Sequence, residues 1–220
     1  MGEGYVVLFI RGHIESLKLG LNQNFFLNRA ITKFFVLLLG LCVWLGANVP
    51  SSFAQVWNLD ANGNWNVDGN WSPVPFPNAA GASATLGFAI LADRTITLGQ
   101  NITVGELSIA DESNYNVTGN TLIFDSVGSF PAVLSVGKTG SPGISSAISM
   151  TDALLIKQNS TGTLTLSGVI SGSVGLTLEG SSKTAFSGNN TYSGPTSVGG
   201  GVLNISHNNA LGSTANGTVV

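Results

Sequence analysis

Between Thr161 and Gly212 the chain alternates apolar and polar residues in pieces of four or five, each cut by glycine. Leu164 with Leu166, Leu176 with Leu178, and Val202 and Leu203 with Ile205 each mark a short strand bounded by Ser-Gly, Glu-Gly or Gly-Gly turns. Strands this short are not stable alone. They need a neighbour above and below, and near-repetition of one unit supplies it when each coil buries the apolar face of the next. The unit does recur: Gly162-Thr-Leu-Thr-Leu-Ser-Gly168 is echoed twelve residues on by Val174-Gly-Leu-Thr-Leu-Glu-Gly180, and Gly201-Val-Leu-Asn-Ile-Ser206 follows after an insert.

That insert and its flanks carry a family resemblance. The run Phe186-Ser-Gly-Asn-Asn-Thr-Tyr-Ser-Gly-Pro-Thr-Ser-Val-Gly-Gly-Gly-Val-Leu-Asn-Ile-Ser206, continued by Asn209-Ala-Leu-Gly212, resembles the autotransporter-associated β-strand repeat, also called the passenger-associated transport repeat. Its usual form is close to L/F-S-G-x-N-T-Y-S/T-G-x-T-x-V/I-x-x-G-x-L with A-L-G a few residues later. Pro195, where the family commonly has glycine, is the departure, and it stiffens a turn. The resemblance implies a parallel β-helix in very large exported bacterial surface proteins, with no enzymatic activity.

Upstream, Thr95 begins a quick succession of strands: Ile96 to Leu98, Ile102 to Val104, Leu107 to Ile109, Tyr115 to Val117, Leu122 to Phe124, Leu134 to Val136 and Leu154 to Ile156. No window shows a helical period, so the chain is all-β. A β-sandwich has similar strand spacing, but the glycine-bounded repeats favour a right-handed parallel β-helix. Three strands per coil give a coil about every 20 to 25 residues, hence about five or six coils over residues 95–220. An autotransporter-associated repeat occupies about 185–212. Leu164, Leu166, Leu176, Leu178, Leu203 and Ile205 are the expected rungs of the solenoid, and Gly168, Gly188 and Gly194 its turns.

Residues 55–94 differ, with Trp57, Trp65 and Trp71 among Asn-Gly and Asp-Gly turn signals and three prolines. The spacing predicts two short hairpin-like elements laying large rings on one surface. A solenoid's first rung has an unsatisfied face, and an atypical aromatic unit caps it. Trp65-Asn-Val-Asp-Gly-Asn-Trp71 also resembles the start of many proteins with this repeat. The alternative is a carbohydrate-binding or adhesion platform in which Trp57, Trp65 and Trp71 stack on a surface polysaccharide.

Residues 1–54 read as an N-terminal extension and a signal-peptide helix. Arg29 and Lys33 precede the twelve-residue apolar run Phe34 to Leu45, and Ser52-Phe53-Ala54 is a small-x-small cleavage site. The run is shorter than the roughly 20 residues of a comfortable membrane span, which favours cleavage over anchoring. Cys42 is the single cysteine, and Leu41 before it is too large for a lipoprotein motif. Cleavage after Ala54 leaves a cysteine-free product suited to an oxidising envelope. Beyond Ala54, nine acids face four bases, a net charge of −5, which argues against phosphate-backbone binding and nucleic-acid partners. The final Thr218-Val-Val220 opens another strand, from which a longer protein with further coils is expected.

Candidate chemistry is thin. Ala132 to Thr139 fits a relaxed phosphate-loop pattern through Gly137, Lys138 and Thr139, but it reads as strand and Pro142 blocks the helix such a loop requires, so no nucleotide is expected. Asp60, Asn62, Asn64 and Asp68 resemble the start of a calcium loop, yet Trp65 and Trp71 stand where glycine and a bidentate glutamate are needed. Asp111, Glu112, Asp125, Asp152 and Glu179 show no paired arrangement, and His207 lies in a polar turn without a serine partner. The sequence therefore predicts a non-catalytic, secreted structural segment at the bacterial cell surface or outer membrane. It takes no cofactor or metal, its partners are neighbouring coils or a polysaccharide, and it meets a membrane through the signal segment alone.

Overall fold

The computed structural model describes residues 5–10, 13–18, 54–87, 90–213 and 217–220. The chain divides into two compact units, Met1–Val49 and Pro50–Val220. In the first, β1 (Tyr5–Ile10) and β2 (His13–Lys18) pair antiparallel, with Tyr5 opposite Lys18. The signal-peptide helix expected over the apolar run, and Cys42 within it, lie outside the described residues.

The second unit is a parallel β-helix of about six turns. It opens with β3 (Gln55–Trp57), β4 (Gly63–Asn64) and β5 (Trp71–Ser72). From there the chain visits three sheets in rotation. The first sheet stacks, on β3, β6 (Ser83–Leu86), β9 (Glu106–Ile109), β12 (Ala132–Val136), β15 (Leu154–Gln158), β18 (Leu176–Gly180), β20 (Thr196–Val198) and β22 (Thr218–Val219). The second stacks, on β4, β7 (Arg94–Leu98), β10 (Tyr115–Gly119), β13 (Gly143–Ile144), β16 (Thr163–Leu166), β19 (Lys183–Phe186) and β21 (Val202–Ile205). The third holds β8 (Ile102–Val104), β11 (Leu122–Phe124), β14 (Ile148–Met150) and β17 (Ile170–Gly172), the last of its described strands.

Two-residue alternation becomes an inside and an outside. Ala84, Leu107, Leu134, Ile156 and Leu178 form one vertical column in the first sheet, each directly above the last and each at most 1% exposed. Ile96, Val117, Ile144, Leu166 and Phe186 do the same in the second sheet, and Ile102, Leu122, Ile148 and Ile170 in the third. Each fully buried Leu or Ile contributes about 1.5–3 kcal/mol relative to exposure. The residues between them, many of them polar, face outward. Of the rungs named from the sequence, Leu164, Leu166, Leu176 and Leu178 are core. Leu203 packs against the core partly buried, whereas Ile205 lies in register above Phe186 but is 54% exposed, since no described strand covers β21.

Successive rungs are 22 residues apart where Leu134, Ile156 and Leu178 stack, and 27 apart between Leu107 and Leu134. The longer coil accommodates the loop of residues 125–131, pinned by Asp152, which accepts from the Ser126 amide at 2.8 Å. Corners between sheets bring backbone against backbone. At the corner from second to third sheet, a Cβ on Gly168 would collide with the Ser146 carbonyl, and one on Gly188 with the Gly168 carbonyl. Gly194 is equally constrained by the Val174 backbone. Gly188→Ala is therefore expected to cost about 1–3 kcal/mol in urea unfolding. Gly69→Ala, where a Cβ meets nothing within 4 Å, should stay within about 0.5 kcal/mol. Equal losses at both positions would contradict this packing.

Candidate functional site

Two places concentrate side chains that the rung pattern does not explain: the tryptophan cluster at the start of the helix, and residues 186–213. In the first, β3 and β5 pair antiparallel with Trp57 opposite Trp71, while β3 pairs parallel with β6 and β4 parallel with β7. The Asn62-Gly63 turn thus carries the chain from the first sheet to the second. It does not close a hairpin, which corrects the expectation of two hairpin-like elements.

The three rings are 0%, 0% and 1% exposed. Trp57 meets Trp71 edge-on at 5.3 Å between centroids, and Trp65 meets Trp71 at 4.6 Å with a 57° tilt. Their indole N–H groups donate to the carbonyls of Leu59, Pro77 and Trp65 at 2.7, 2.9 and 2.7 Å. Rings that are buried and mutually tilted have no free coplanar face for a sugar, so the platform role proposed for Trp57, Trp65 and Trp71 loses its physical basis. They plug the first coil, and antiparallel β5 covers the edge that β3 would otherwise expose.

Several of the ionisable residues weighed as chemistry serve as local ties. Asp60 pairs with Arg94 at 2.8 Å and accepts from the Leu91 amide. Asn62 accepts from the Thr95 amide and Asp68 from the Phe76 amide. Three of the four side chains read as the start of a calcium loop, Asp60, Asn62 and Asp68, thus accept from backbone amides of other segments. Asp111 caps the Ser113 amide at 3.0 Å, and Glu179 stands beside Lys157 in the sheet register. Asn114 donates to Asp93 through its side chain and its amide, holding that carboxyl below the usual carboxylate range. Ala132 to Val136 is strand β12, and Lys138 follows with φ of 57°, so no helix N-terminus stands behind that phosphate-loop pattern.

In residues 186–213 the side chains act between coils. Asn190, 3% exposed, accepts from the Ile170 amide of the coil below at 2.8 Å and donates to the Ala210 carbonyl of the coil above at 2.6 Å. Tyr192, fully buried, shares a 2.6 Å hydrogen bond with buried Thr196. Burial pushes the Tyr192 hydroxyl pKa up, with the Thr196 bond acting the other way. Its backbone amide donates to Ile170 and its carbonyl accepts from Ser213 at 2.8 Å. Gly212 has φ of 67°, and a Cβ there would strike the Tyr192 carbonyl. Outside, Asn209 donates to Asn189 at 2.8 Å, and the Asn209 amide donates to His207 Nδ1 at 3.0 Å. Sequence reasoning found the turn glycines but missed Asn190, whose signal is the recurrence of Asn-Asn at 189–190 and 208–209.

Tryptophan burial is directly testable. Trp65→Ala should destabilise the second unit by about 3–5 kcal/mol. A change below about 1 kcal/mol would mean that the ring is not in the cap core.

Comparison with known proteins agrees with the repeat. The family model of the passenger-associated transport repeat matches residues 176–205. The chain is 32% identical over 162 residues to a protein named adhesin BmaC autotransporter from Brucella suis biovar 1 (strain 1330), a match covering 70% of this chain and 4% of that protein. The chain thus corresponds to a small part of that relative's length. No solved structure matches. The matched segment spans β18 to β21 and includes Asn190 and Tyr192. The chain is a parallel β-helical protein that carries a passenger-associated transport repeat.

Proposed function

We propose that this chain is a non-catalytic segment of an exported, autotransporter-like bacterial surface protein, forming β-helical passenger or stalk structure that supports secretion and display. The observation that carries the reading is where the repeat places its characteristic residues. Gly188, Asn190, Tyr192, Gly194, Ala210 and Gly212 are directed at the coil below or above. A sequence motif that serves stacking selects for a rod. Each completed coil offers a hydrogen-bonding edge to the next, so folding proceeds coil by coil and opposes backsliding during export.

The outer face suits contact with neutral, hydroxyl-rich partners. Outward positions along the first sheet include Thr85, Ser108 and Ser135, and a surface polysaccharide would meet hydroxyls rather than like charges. The relative's name, adhesin, supports adhesion as the purpose of such a surface. The Trp57, Trp65 and Trp71 rings, enclosed in the cap, take no part in it.

The test is protease treatment of intact cells expressing the full protein, followed by detection with an antibody to residues 55–220. Loss of the epitope while a cytoplasmic marker survives is expected. Complete protection of the epitope on intact cells, with digestion after lysis in the cytoplasmic fraction, would overturn the display reading.

A further inference from the structure

We infer that Asn190 is a coil-registering latch, a side-chain amide that stands in for a backbone carbonyl in the hydrogen-bond column of the third sheet and couples the coil below it to the coil above. The inference rests on the fold alone and stands whether or not the chain is displayed at a cell surface.

In the third sheet, the first amide of each strand donates upward to a carbonyl in the next coil. Ile102 donates to Thr121 at 3.0 Å, Leu122 to Ala147 at 2.8 Å, and Ile148 to Val169 at 2.8 Å. The next donor in the series is Ile170, and its acceptor is Asn190 Oδ1, also at 2.8 Å. A carboxamide has the donor and acceptor of a peptide group, and Asn190 uses both, one toward each neighbouring coil. Above β17 the amides of Thr191, Tyr192 and Ser193 still donate to the carbonyls of Ile170 and Gly172, but the Ile170 amide is met by a side chain in place of a carbonyl.

Burial makes this a latch. At 3% exposure the amide cannot turn to water, and leaving either end unmet incurs a desolvation penalty. The upper end is met only by the Ala210 carbonyl. That carbonyl is presented by a folded turn, in which Ala210 donates to His207, Gly212 to Asn209, and Ser213 to Tyr192. The same turn grips the outer asparagine through Asn209 and Asn189. A slip of one residue would withdraw buried Ala210 and bring Asn209 or Leu211 to its place, so the paired asparagines read the register of the following coil. The Ala-Leu-Gly tail and the Asn-Asn pair, 20 residues apart, are the two halves of one contact. The coil containing Asn190 is complete only when the turn above it has docked.

Residue-resolved amide hydrogen exchange on the full chain tests the coupling through two variants. In Asn190→Ala, the Ile170 and Ser213 amides should exchange about tenfold faster or more, with Ile102 and Leu122 within about twofold of wild type. Gly212→Val leaves Asn190 in place and disrupts the turn above it, because valine is strained at this φ and its Cβ strikes Tyr192. There too Ile170 should exchange about tenfold faster, although its own acceptor is intact. Wild-type exchange at Ile170 or Ser213 in Asn190→Ala would overturn the latch, as would wild-type exchange at Ile170 in Gly212→Val. Should Asn190→Ala lose protection throughout, Ile102 included, the Gly212→Val result decides.

Discussion

The second unit depends on one constraint: a peptide group in a two- to five-residue strand finds its partner one coil away. Neighbouring strands along the chain belong to different sheets, so the parallel ladder bonds run between coils 19 to 33 residues apart. Interior columns of identical or similar apolar residues follow from the same register, because a parallel ladder in register places like beside like. Corners then bring main chain over main chain, and glycine is selected where a Cβ would meet a carbonyl. Rungs, corners and the outward polar face are therefore consequences of one ladder.

Such a ladder has two points of weakness, and the side chains outside the rung pattern are placed at both. At its start, β5 turns back antiparallel on β3 and three tryptophans fill the open coil. In the later coils, β17 is the last described strand of the third sheet; the amides of residues 191–193 donate to it and the Asn190 side chain takes the Ile170 amide. Both are solutions to unmet backbone groups or bare apolar faces. Both are structural, and of the candidate carboxylates Asp111 and Asp152 are held by the backbone amides of Ser113 and Ser126.

Much of this is legible in sequence where the local signal is large. The alternation of Ile102–Val104 and Leu122–Phe124 predicts strands with their observed bounds, because each places two apolar residues inside. Gly143–Ile144 and Ile170–Gly172 were invisible, since each offers one interior apolar residue among glycine and serine, too short for a period. Asn-Gly and Asp-Gly pairs near Trp57, Trp65 and Trp71 read as hairpins because local turn chemistry is the same whether the chain returns to its own strand or crosses to another sheet. A ring's burial is a property of what covers it, so the sequence favours the cap for the three tryptophans but leaves the platform open as the alternative. Asn190 escaped notice for a related reason: a buried amide is recognisable only once the coils that satisfy it are in place.

The central claim is the parallel stacking of successive coils in register. Ser83 and Ser197 lie in one outward column of the first sheet, through Glu106, Val133, Leu155 and Thr177. Five steps of about 4.8 Å set their Cα separation at about 24 Å. A spin-label distance measurement between cysteines at these two positions, in a Cys42→Ser background, tests this directly. A single narrow distribution near that distance, allowing for the label arms, is the result the stacked β-helix predicts. A broad distribution, or one centred beyond about 40 Å, would contradict it.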